Sequence, residues 1–201
     1  MDEVEALSAT ARTRGLRVCV VESLTSGRLA NTVGAGDEAS EWFAGGLVAY
    51  FTEVKERVLG VTPGTDPVSA VCAEQLAAGG LALFEADVCV STTGVGGPGP
   101  EGGHPPGTVF LGWATSAARG HRALALSGDP ESVIEATVAA AVRLLGFHAE
   151  QLRPAGPRRS VDGAQAGTRP ILSGAPGADA AASASSSAES GRTSPTASAK
   201  G

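Results

Sequence analysis

Apolar positions along this chain fall into short runs, and the runs alternate with stretches of helical period. Residues 16–22 (LRVCVVE), 44–51 (AGGLVAYF) and 87–93 (DVCVSTT) are nearly continuous apolar or β-branched segments of strand length. That pattern predicts strands buried on both faces. Residues 108–116 and 121–127 read as a hairpin pair. Between the strands, residues 2–14 read as an amphipathic helix, with acids in the first turn, arginines in the last and Gly15 as its stop. Residues 23–34 (SLTSGRLANTVG) read as a polar turn opening into a short helix. Thr52 is placed to cap the short helix EVKERVLG, and residues 68–84 form a long Ala-rich helix. Residues 130–146 form the last helix, led in by Ser127, Gly128 and Asp129 and ended by Gly146.

Strands that alternate with helices in this way predict an α/β fold, a three-layer α/β/α sandwich around a mixed sheet. In such sheets the functional site lies beyond the carboxyl ends of strands. Three polar segments follow strands, Ser23–Gly27, Tyr50–Lys55 and Thr92–Gly107, and they are expected to converge on one site.

Composition changes near residue 150. Residues 1–150 form one domain, whereas residues 151–201 are dominated by Ala, Gly, Ser, Pro and Thr. The latter cannot bury enough apolar surface to offset chain entropy, so a disordered, low-complexity C-terminal tail is expected. Charge divides at the same place. Residues 1–150 carry 18 acidic and 9 basic side chains, and residues 151–201 carry 3 and 6. An acidic domain argues against nucleic acid as a partner. Cys19, Cys72 and Cys89 show no CxxC spacing, and Cys19 and Cys89 are read as small buried residues rather than metal ligands. With no signal peptide and no apolar run of membrane-spanning length, the chain is expected to be cytoplasmic, without a membrane partner.

Candidate chemistry centres on two residues. Ser23 stands between a buried strand and a helix start, close to the backbone N–H groups of Thr25, Ser26 and Gly27. Such donors can hold a phosphate or an oxyanion; an ordinary capping serine is the alternative. Lys55 is the only lysine in a domain that otherwise uses eight arginines. A desolvated lysine can lose its proton and serve as a base, which arginine cannot do; a solvated helix lysine is the alternative. Tyr50, the chain's only tyrosine, precedes Lys55 by five residues. The loop at 94–107 (GVGGPGPEGGHPPG) offers close backbone approach to a ligand. With Thr93 it supplies candidate binding positions at Gly94 and Gly97. His104 within it reads as solvated, and Glu22 as a structural hydrogen-bonding acid beside Ser23.

Taken together these motifs resemble the C-terminal domain family of CinA proteins. The family pattern AES-C-TGG is similar to VESLTSG at 21–27, and VxYxNxxKxxxLGV to VAYFTEVKERVLGV at 48–61. AVSxxVA is similar to PVSAVCA at 67–73, TGIAGPGG…PVGTV to TGVGGPGPEGGHPPGTV at 93–109, and the SGD at 127–129 also fits. The resemblance covers residues 1 to about 147. It implies deamidation of nicotinamide mononucleotide to nicotinic acid mononucleotide and ammonia, with no metal and no cofactor. It also implies a serine–lysine pair assisted by a tyrosine, on Ser23, Lys55 and Tyr50, and a homodimer. Leu24, Ser26, Thr52, Gly96 and Pro100 depart from the family pattern. Ser26 is expected to narrow the site, and Thr52 to replace part of an asparagine's contact with substrate. The departures leave a second reading open: a non-catalytic module that binds a nucleotide or a partner and retains the fold.

Overall fold

A computed structural model describes residues 2–154 of the chain. Most of the tail expected at 151–201 therefore lies outside the described residues. Helix α1 (Glu3–Arg14) opens on a capping box, in which Asp2 accepts from the first turn and Glu5 reaches back to the Asp2 N–H. Gly15 closes α1 in the left-handed conformation. Strand β1 (Val18–Glu22) then enters the sheet, followed by the short helices α2 (Arg28–Gly34) and α3 (Ala39–Trp42). Next come β2 (Phe43–Val48), α4 (Thr52–Leu59), α5 (Ala70–Leu83), β3 (Val88–Gly94), β4 (Thr108–Thr115), β5 (Arg119–Ala125) and α6 (Pro130–Gln151).

The five strands form one mixed sheet in the order β2-β1-β3-β4-β5. β1 lies parallel to both β2 and β3, while β3, β4 and β5 run antiparallel to one another. Alternation along β1 and β3 divides the core. Val18, Val20, Val88 and Val90 face α1, α2 and α6, packing with Leu7, Leu29, Val33 and Leu145. Cys19, Val21 and Cys89 face α4 and α5, packing with Leu59, Leu76 and Ala77. The three-layer α/β/α sandwich is thus the observed architecture. Gly80 lets α5 lie close to the sheet, because a Cβ there would meet Val21 Cγ2 at 2.5 Å and Cys89 Sγ at 2.8 Å.

Some local expectations are corrected. Thr52 does not cap α4; the capping position belongs to Phe51, and Thr52 is the first helical residue. α6 passes through Gly146 to Gln151. Burial of Leu145 and Ala149 against the core outweighs one glycine's intrinsic preference. By length and apolarity α6 could cross a membrane, contrary to the expectation of no such run. Here Val133, Thr137, Ala141, Leu145 and Ala149 are buried in the domain.

Glu22 continues the alternation of β1 into the layer of α2, and it is fully buried. Its Oε2 accepts the N–H groups of Gly27 and Leu29 at 3.0 Å each, and its Oε1 accepts that of Ala30 at 2.8 Å. The carboxylate thereby satisfies first-turn donors of α2 that otherwise have no partner. Removing it should be costly. Glu22→Ala is expected to lose about 3 kcal/mol, because it strands one buried and two part-buried N–H groups. Glu22→Gln should lose less, since the amide keeps one acceptor but turns a donor toward donors. Urea unfolding followed by tryptophan fluorescence measures both.

Candidate active site

The carboxyl ends of β1, β2 and β3 lead into a cavity of about 420 Å³. All three polar segments reach it. Ser23 and Leu24 come from the turn after β1, Tyr50, Thr52 and Lys55 from the start of α4, and Thr93–Gly97 from the end of β3 and its loop. Pro67 and Val68 close one wall and Ile134 of α6 another.

The turn after β1 is rigidly held. The Ser23 N–H donates to the Thr92 carbonyl at 3.0 Å, and the Ser23 carbonyl accepts the Ser26 N–H at 3.2 Å. Buried Thr25 and Thr92 share a hydroxyl–hydroxyl bond of 2.8 Å. Ser23 Oγ faces the cavity without a hydrogen-bond partner among the described residues. The expected anion donors are corrected by this geometry. The Ser26 N–H is engaged by Ser23 and the Gly27 N–H by Glu22. The N–H groups of Leu24 and Thr25 are the ones that meet no acceptor among the described residues. Thr25, Ser26 and Gly27 also lie off the cavity wall. Ser26 therefore does not narrow the site; it adopts a positive φ of 48°, a conformation that suits glycine better.

Lys55 is only 3% exposed. Its Nζ donates to the Tyr50 carbonyl at 3.2 Å. Burial lowers its pKa below the ordinary lysine value, while the charges of Cys72 and Glu101 act the other way. Burial also pushes the Cys72 thiol up, toward its neutral form. Tyr50 is 64% exposed at the cavity, and its main-chain carbonyl is what engages Lys55. No hydrogen bond joins Lys55 to Ser23 in this structure.

The Gly/Pro loop is anchored twice. Thr93 Oγ1 donates to the Pro67 carbonyl at 2.5 Å. His104 Nε2 and Asp66 Oδ2 are 2.8 Å apart, so His104 is a tether rather than the solvated residue expected. Burial would raise the Asp66 pKa, but the Val68 N–H and His104 hold it below the usual carboxylate value. Gly94 sits at φ +153°, and a Cβ there would meet the Thr108 carbonyl oxygen at 2.4 Å. Gly107 at the other end of the loop is under the same constraint: its φ is +82°, and a Cβ there would overlap the Leu126 carbonyl. Gly96 meets open space, so its departure from the family's alanine costs no room. Glu101, Pro67 and Val68 were not among the candidate residues. The match at 67–73 is the available signal for the last two, and the match at 93–109 is the signal for Glu101.

The CinA C-terminal domain matches residues 2–148 of the chain. The chain belongs to the CinA C-terminal domain family. Protein YdeJ of Escherichia coli is 30% identical over 146 residues, covering 68% of this chain and 85% of that protein. A Bacillus velezensis relative, named among competence-damage inducible proteins, is 43% identical over 113 residues, or 54% of this chain. The chain spans about a quarter of that relative's length (27%). The crystal structure of a CinA superfamily protein from Klebsiella pneumoniae superposes with a TM-score of 0.71 at 29% identity, covering 75% of this chain and 97% of that one.

The buried lysine generates a stability prediction. Its folded pKa is lowered, whereas an unfolded lysine holds its proton to about pH 10.4. Between those values the unfolded chain binds more protons, so stability rises with pH and is lost as pH falls through the folded value. Lys55→Met is expected to stabilise the fold at neutral pH by about 1 kcal/mol. It should also remove this part of the pH dependence, as measured by denaturant unfolding of both proteins across pH.

Proposed function

We propose that this CinA-family domain hydrolyses the carboxamide of nicotinamide mononucleotide to give nicotinic acid mononucleotide and ammonia. The observation that carries this reading is the shared cavity: a partner-free serine hydroxyl and a buried lysine of lowered pKa open onto it together. Neutral Lys55 takes the Ser23 proton, directly or through one water, as the substrate closes the site. Ser23 Oγ then attacks the carboxamide carbon, and the N–H group of Leu24, on the cavity wall and without an acceptor among the described residues, receives the oxyanion. Collapse breaks the C–N bond, and Lys55 returns its proton to the departing ammonia. Water next attacks the acyl-enzyme, with Lys55 again accepting a proton and passing it to Ser23 Oγ. Thr52, Thr93, Gly94 and Gly97 line the remaining wall and bind the nucleotide. Tyr50 holds Lys55 through its carbonyl and offers its ring at the cavity's edge.

An ammonia-release assay with nicotinamide mononucleotide tests the reading. Ser23→Ala is expected to abolish turnover with the fold intact. Lys55→Arg should lose at least about a hundredfold, because guanidinium cannot act as the base. Wild-type activity should rise with pH through the lowered lysine pKa, since only the neutral amine accepts a proton. Near-normal turnover by Lys55→Arg with a flat pH profile would remove Lys55 from that role.

A further inference from the structure

The ionisable side chains on the cavity wall, among the described residues, are Tyr50, Lys55 and Glu101. Glu101 is the only carboxylate among them, and no arginine joins it. Its carboxylate makes no hydrogen bond or ion pair among the described residues, although the loop around it is firmly held. The Glu101 N–H donates to the His104 carbonyl at 3.0 Å, and the His104 N–H donates back at 2.9 Å. The His104 ring is in turn tied to Asp66 at 2.8 Å, in the connection between α4 and α5. A carboxylate with no hydrogen bond or ion pair among the described residues, but close enough for its charge to act on Lys55, is thus carried on a held segment at the edge of the cavity.

We propose that Glu101 is a specificity-determining residue that selects carboxamides attached to a positively charged ring. This inference rests on the proposed deamidation. When Lys55 is neutral, as the base must be, Glu101 supplies the cavity's formal charge. A carboxylate held near a cationic heteroaromatic ring attracts it, in a site too open to desolvate the pair fully. An uncharged ring of the same shape gains nothing from that contact. Hydrolysis converts the neutral carboxamide into a carboxylate, which Glu101 repels, so the same residue favours product release.

Nicotinamide mononucleotide and its ring-reduced dihydro form make a matched pair of probes. They share the phosphate, ribose and carboxamide and differ in ring charge. Deamidation of both is measured for wild type and Glu101→Gln on the high-pH plateau of each protein, so that Lys55 is neutral throughout. For the cationic ring, kcat/KM is expected to fall about tenfold in Glu101→Gln. For the uncharged ring it should change less than about twofold. Equal losses for the two rings, or no loss for the cation, would overturn the proposal. Calorimetric binding of the same ligands to Ser23→Ala and to Ser23→Ala/Glu101→Gln separates this inference from the proposed reaction. If wild type turns over neither ligand, yet Glu101→Gln removes a preference for the cationic ring in binding, deamidation fails and the Glu101 role stands. Binding of neither ligand overturns both.

Discussion

The buried contact between Glu22 and the first turn of α2 governs the geometry of the candidate site. A carboxylate with no access to solvent is tolerable only when its oxygens are fully engaged, and here they accept three backbone N–H groups. The contact draws the start of α2 against the end of β1, so the intervening residues 23–26 must turn sharply. That turn puts Ser23 at the cavity. It also divides the local N–H donors. Those of α2 are used to hold the protein together, while that of Leu24, on the cavity wall, remains for a ligand.

Lys55 stands in the opposite relation to stability. Its head group is buried with one hydrogen bond, to the Tyr50 carbonyl. Such an environment disfavours the charged form, which weakens the fold near neutral pH and leaves more of the amine neutral and able to accept a proton. The helix carrying it is short and begins without a side-chain cap. Packing of Leu59 and Val61 against α5 and the sheet therefore keeps it in place. A buried ionisable group of this type draws on stability generated elsewhere in the core.

The third wall is a loop that has neither helix nor strand to stiffen it. Its rigidity comes from side chains and from close backbone approaches at Gly94 and Gly107. Thr93 is bonded to Pro67, His104 is paired with Asp66, and Gly94 lies against the Thr108 carbonyl. These contacts link the loop to the start of α5 and to β4. The cavity is therefore bounded by elements that are far apart in sequence but locked together, with Glu101 carried on a tethered segment instead of a free one.

Period and composition in the sequence determined the architecture. Strand-length apolar runs separated by helical segments admit little besides a layered α/β domain, because each buried strand needs a covered face on both sides. The same reading singled out Ser23, Tyr50 and Lys55 after buried strands, and the structure gathers all three on one cavity. Tertiary structure alone decided which donors remain free. In the sequence Thr25, Ser26 and Gly27 are equal candidate donors, and only the folded Ser23 carbonyl and Glu22 carboxylate claim the N–H groups of Ser26 and Gly27. It also decided that α6 continues past Gly146, that His104 is a tether and that Glu101 faces the cavity. Each of these depends on a partner brought close by folding, Ala149 against the core, Asp66 beside the loop, Lys55 across the cavity, and local sequence carries no record of such distances.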